Sequence, residues 1–134
     1  MQAKTLIAPF AILALAGCQN DMGEQKPLTK APVAKVIGPA EDCIPIASIN
    51  NSQVHDDYTI DFKVGGTTYR NTLPYQCNSL GFEKAFSYET SLSRLCSTDI
   101  IYVLRHVGGR LDRGAGCGLG KFVPVEIVKS GTKG

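Results

Sequence analysis

Cysteine and histidine are the residues here from which thiol chemistry, metal ligation or general base catalysis would be built, and the chain has five of the first and two of the second. Cys43, Cys77, Cys96 and Cys117 are separated by 33, 18 and 20 residues. A zinc or thiol-redox site favours close C-x-x-C pairs, and none is present. An even number of widely spaced cysteines points instead, if the chain is exported, to two disulfides, with free or metal-binding thiols as the alternative. Four cysteines allow three pairings. The expected one is Cys77 with Cys96 and Cys43 with Cys117: the first pair brackets the least strand-like stretch, and the second ties both ends of the domain.

His55-Asp56-Asp57 has the composition of a metal or acid/base cluster. Consecutive residues in a strand or turn point in alternating directions, however, so a solvated turn is the expectation. His106 follows an apolar run beside Arg105 and reads as a strand-end histidine, or as a general base if a carboxylate lies near. No G-x-S-x-G elbow marks a serine nucleophile. The segment Gly114-Ala115-Gly116-Cys117-Gly118-Leu119-Gly120-Lys121 fails as a phosphate loop, because Ala115 occupies the first glycine's place and Phe122 the hydroxyl's. Arg110, Arg113 and Lys121 remain a possible anion-binding loop, for instance for the phosphates of lipopolysaccharide. Tyr69 and Asn71, with Tyr58, Tyr75 and Tyr88, would line a glycan-stacking cleft if they shared an exposed face; core or rim positions are the commoner use of such aromatics. No catalytic residue, metal site or cofactor is assigned.

The fifth cysteine is different. Lys4 is followed by 12 residues without charge, Thr5 to Ala16, too short to span a bilayer, which takes about 20 apolar residues, and carrying Pro9. At its end stands Leu15-Ala16-Gly17-Cys18, which resembles the lipobox of bacterial lipoproteins. The resemblance implies a signal peptide over residues 1–17, cleavage after Gly17, a diacylglyceryl group on the Cys18 thiol, and commonly an acyl chain such as palmitate on the new amine. Each buried methylene contributes about 0.8 kcal/mol, so two or three chains anchor stably where one is marginal. Gln19 is not the aspartate that marks inner-membrane retention in enteric bacteria, which favours an outer-membrane anchor facing the periplasm.

Residues 18–40 are polar and proline-punctuated (Pro27, Pro32, Pro39) and read as a tether, about 25 Å end to end as a coil and near 75 Å stretched. Residues 41–129 then form one small domain, and 130–134 a disordered tail. Composition suits a folded chain, at 43% hydrophobic and 19% charged. Net charge is +2, and removal of residues 1–17 takes only Lys4, leaving 13 basic against 12 acidic residues, or +1. So balanced a domain has no basic stripe, and a nucleic-acid partner is not expected.

The domain reads as mainly β. Ile44 to Ile49 suits a first strand, and Asn50-Asn51-Ser52 a turn. From Tyr58 to Val64 the residues alternate, with Thr59, Asp61 and Lys63 on the solvent face, and Gly65-Gly66 turns the chain into a second β-rich run from Thr67 to Leu73. A short helical turn near Leu80-Gly81-Phe82, a short strand near Phe86, a strand covered on both faces from Ile100 to Leu104, a flexible loop from Gly108 to Gly116 and a last strand from Phe122 to Val128 complete the path. Five or six strands around one core suggest a small barrel, with an OB-like one as the candidate, braced by two disulfides.

Cys43-Ile44-Pro45, Tyr69-Arg70-Asn71-Thr72-Leu73 before Cys77, Phe86-Ser87-Tyr88-Glu89-Thr90, Leu95-Cys96 before Asp99, and Cys117-Gly118-Leu119-Gly120-Lys121-Phe122-Val123-Pro124 resemble an uncharacterised family of small proteobacterial envelope proteins, a domain of unknown function framed by its four cysteines. The resemblance spans about residues 43 to 125 and implies an exported, disulfide-paired domain without implying an activity. The functional expectation is a non-catalytic envelope lipoprotein that touches membrane lipid through Cys18 and binds or supports another envelope component. An envelope hydrolase using His106 or His55, and a binder of oligosaccharide or anionic glycolipid on a β face, are the alternatives.

Overall fold

The computed structural model describes residues 29–129; Cys18 and the residues read as signal peptide (1–17), as the first part of a tether and as a tail (130–134) lie outside them. The organising unit is the hairpin at Gly65-Gly66. Gly65 has φ +61°, which a residue without a Cβ adopts freely, and the two-residue turn sets β4 (Thr59–Val64) against β5 (Thr67–Thr72) with Val64 opposite Thr67 and Asp61 opposite Arg70. β3 (Ile49–Val54) adds to the outer side of β4, and β10 (Phe122–Ile127) to that of β5. β1 (Ala34–Val36) closes the row, giving the order β1-β10-β5-β4-β3.

Two smaller sheets pack on this one. β2 (Cys43–Pro45) pairs with β7 (Arg94–Cys96), and β8 (Ile100–Val107) lies between β6 (Phe86–Tyr88) and β9 (Arg110–Gly118). A one-turn helix, α1 (Leu80–Glu83), precedes β6. Ile44, Ile60, Phe62, Leu80, Leu95, Ile101 and Phe122 are fully buried and come from all three sheets and α1, so there is one core. Phe62 meets Phe122 and Phe86 edge-on at centroid distances of 5.5 and 6.0 Å, which joins the large sheet to the three-stranded one.

The mainly β character and the two disulfides are as expected; several details differ. Among the described residues there are ten short strands in three open sheets, with β1 and β3 as the edges of the largest, and not a closed barrel of five or six. Local pairing explains the split: Gly108 and Gly109, at φ +56° and +78°, fold β9 straight back on β8 at small loop-closure cost, where a return to the first sheet would close a long loop. The stretch Gly108 to Gly116, expected as a flexible loop, is therefore mostly strand. Asn50-Asn51-Ser52 is strand too: the register shifts between Ile49 and Asn51, and Asn50 Nδ2 donates to Gly65 O at 3.2 Å. Ile44 to Ile49 is broken by a 3₁₀ turn at Ile46–Ser48. Along β8 only Ile101 and Val103 are buried, while Ile100 is 43% exposed, so one face is covered and not two.

The disulfides are Cys43–Cys96 and Cys77–Cys117, which overturns the expected pairing. Ile44 and Leu95 are both fully buried and face one another in the β2–β7 ribbon, and that register places Cys43 directly opposite Cys96. Cys77, fully buried after β5, is thereby left for Cys117 on β9, and its bridge ties the large sheet to the three-stranded one.

The tether also ends earlier than expected. Ala34 to Val36 pair with Ile127 to Val125, and before them Thr29 to Pro32 lie as a strap across β4 and β5. Thr59 and Asp61, read as a solvent face, are 3% and 6% exposed beneath it.

Candidate functional site

Asp61 stands between Ile60 and Phe62, which face the core, so its own side chain emerges on the opposite face of β4. Arg70 is its direct cross-strand partner on β5. Gln53 is its partner on β3, which puts His55, two residues further, at diagonal reach on the same face. The three side chains meet. Arg70 donates from Nε to Asp61 Oδ1 at 2.8 Å and from Nη2 to Oδ2 at 2.9 Å, and His55 Nε2 lies 2.8 Å from Oδ2. The side chains of His55, Asp61 and Arg70 are only 8%, 7% and 16% exposed, and Arg70 Nη1 donates to Pro32 O of the strap at 2.9 Å. Nε2 being engaged, Nδ1 is the nitrogen left to the imidazole for other work, and Arg70 already neutralises the carboxylate that orients it.

The neighbouring aspartates diverge from His55 as expected for consecutive residues, but they are tie-points and not a solvated turn. Asp56 Oδ1 accepts from Tyr58 N at 2.8 Å, and Oδ2 accepts from Thr29 Oγ1 at 2.7 Å and Lys30 N at 2.8 Å. Burial works to raise the Asp56 pKa, but the hydrogen bonds from Thr29, Tyr58, Lys30 and Thr59 outweigh it and hold the carboxyl below its ordinary value. Asp57 Oδ1 accepts from Gly81 N at 2.8 Å and Oδ2 from Gln76 Nε2 at 3.0 Å. Gly81 is needed for this approach, since a Cβ there would stand 2.9 Å from Asp56 Cα. An open cavity of about 520 Å³ is lined by His55, Lys30, Tyr58, Gln76, Ser79 and Phe82, among others. Ser79 sits in it with a left-handed backbone, φ 72°.

The other sequence candidates do not converge. His106 has a 67% exposed side chain and touches Glu83 at 3.4 Å. Arg113 pairs with Glu89 and covers the Tyr102 ring at 4.4 Å, Lys121 lies 3.6 Å from Asp42, and Arg110 is at the far end of β9, about 25 Å along the strand from Gly118. The three cations therefore form no single loop. Tyr69 and Tyr88 pack against the core, Asn71 is fully buried, and Tyr75 is 82% exposed, so these residues share no open glycan-stacking face. Among the described residues no group of three or more His, Cys, Asp or Glu is placed to hold a metal ion, and no helix is long and apolar enough to cross a membrane.

Asp61 and Arg70 were missed in the sequence, although the signal was there: counting outward from Gly65-Gly66 in a two-residue hairpin pairs 61 with 70. No family model matches the chain, and comparison with curated proteins and with solved structures finds none similar to it.

Proposed function

We propose that the chain is the precursor of a lipid-anchored envelope protein whose domain binds or supports another envelope component without catalysis. The observation that carries this reading is Leu15-Ala16-Gly17-Cys18 at the end of an uncharged run of 12 residues behind Lys4. The outer membrane, with the domain facing the periplasm, is the proposed location, and membrane lipid on Cys18 the first partner. The likeness to the uncharacterised envelope family framed by four cysteines agrees with it, as do two disulfides, which persist in oxidising compartments. The saturated carboxylates also favour it, because Asp56, Asp57 and Asp61 are all occupied in holding the strap, α1 and Arg70. Intact mass of natively purified protein is the test. Residues 18–134 plus lipid, gaining about four hydrogens on reduction, is the expected result; an unlipidated chain overturns the reading.

One observation favours a second reading, an envelope hydrolase with His55 as general base: His55 Nε2 is held at 2.8 Å by Asp61 beside an open cavity. Turnover of a cell-wall or lipid substrate that is lost in His55→Ala and kept in His106→Ala would support it, and no turnover by the folded wild type would remove it.

A further inference from the structure

The point at which the chain meets the domain biases which face is turned toward whatever holds its N-terminus. Thr29 and Lys30 are bonded to Asp56, and only residues 19–28 separate them from Cys18. Eleven Cα steps cannot exceed about 40 Å in any conformation. As a coil those steps average only about 18 Å, about half of the roughly 35 Å across a domain of this size, so an anchor at Cys18 leaves the Asp56 side nearest the membrane most of the time.

That side carries apolar groups with no role in the fold. Phe82 is 85% exposed on α1, although Leu80 in the same turn is fully buried and does the packing. It lines the same cavity as Lys30. His106 bridges from β8 to Glu83 on α1, which brings the tip of the β8–β9 hairpin alongside, and Leu111, directly opposite His106, is 59% exposed. Val107, opposite Arg110 at the same tip and on the other side of the hairpin, is 55% exposed, so the tip is apolar on both sides. Around these stand the exposed cations Lys30, Lys84 and Arg110, while the nearest acids are engaged: Asp56 and Asp57 by backbone N–H donors, Glu83 by His106, and Asp112, next to Leu111, by Arg105 at 3.1 Å. Exposed apolar side chains ringed by basic ones, with the local acids neutralised, match the headgroup layer of a bilayer that contains anionic phospholipid.

We propose that Phe82 and the β8–β9 hairpin tip, which carries Leu111 on one side and Val107 on the other, with Lys30, Lys84 and Arg110, seat in the headgroup layer of the membrane holding Cys18. This rests on the lipid-anchor reading. The chain has no tryptophan, so Phe82→Trp in the full mature protein introduces a single fluorophore on the face, and Leu92→Trp, 67% exposed in the native leucine and beyond the opposite end of the β6–β8 pairing, introduces one away from it. Each is reconstituted in phosphatidylethanolamine–phosphatidylglycerol vesicles carrying a headgroup nitroxide, with intact mass measured on the same sample. In lipidated protein, a blue-shifted emission from Phe82→Trp and quenching roughly threefold stronger than for Leu92→Trp is the expected result, falling by about half when Lys84→Glu and Arg110→Glu are added. Equal quenching of the two reporters in protein whose mass includes the lipid overturns the inference and leaves the anchor standing. A mass without lipid, with protein that does not float with the vesicles, overturns both.

Discussion

Asp61 is bound twice by Arg70 and once by His55 in surroundings nearly closed to water. Removing one member of a buried ion pair strands the other, which costs more than the pair contributes. Arg70→Ala is therefore expected to lower stability by about 3 kcal/mol, whereas Arg70→Met combined with Asp61→Leu costs much less, a non-additivity that urea denaturation of both variants measures. Asp56 makes a pH-dependent contact. Its folded pKa is depressed, so its contribution is fully present above the unfolded aspartate value of about 3.9 and is lost as pH falls through the folded one. The amide resonances of Lys30 and Tyr58, which donate to this carboxylate, should titrate with a midpoint below about 3.9, and Asp56→Asn should abolish the titration.

β5 and β10 are held together by more than their ladder. Asn71, fully buried, donates from Nδ2 to Gly120 O at 2.7 Å and accepts from Gly120 N at 2.8 Å. A Cβ on Gly120 would stand 2.2 Å from Thr72 O, which is backbone and cannot swing aside. Gly120→Ala must push the segment off β5 and break both bonds, for an expected loss of about 3 kcal/mol and a lower thermal midpoint. Edge strands are shielded by their composition: β3 presents Asn50, Asn51, Ser52 and Gln53, and β1 is only three residues long, so neither offers a long apolar template.

The two disulfides close loops of 53 and 40 residues in sequence separation, each worth about 4 kcal/mol in chain entropy, against a usual total of about 5 to 15. Cys43–Cys96 reinforces a ribbon that is already paired, whereas Cys77–Cys117 joins two sheets. Replacing Cys77 and Cys117 by alanine should thus lower stability by about 4 kcal/mol and also reduce cooperativity, seen as a smaller denaturant slope; the Cys43 and Cys96 double variant should lose a similar amount with a slope no smaller than the wild type's, because its opened loop lets the unfolded chain expose more surface.

Features set by neighbours in the chain were legible from residue order. The Gly65-Gly66 turn, the alternation behind it, the one-turn helix at Leu80 and the last strand from Phe122 all depend on a few adjacent residues, and the lipobox reading rests on a linear signal of the same kind. Features that depend on which distant segments meet were not. The cysteine partners followed from the burial of Ile44 against Leu95, and the three-sheet arrangement from the hairpin at Gly108-Gly109. Asp61 and Thr59 look like a solvent face until the strap at Thr29 to Pro32 covers them. Alternation reports that one face of a strand differs from the other; what lies over the polar face is supplied by residues some 30 positions away, through packing that no local pattern encodes.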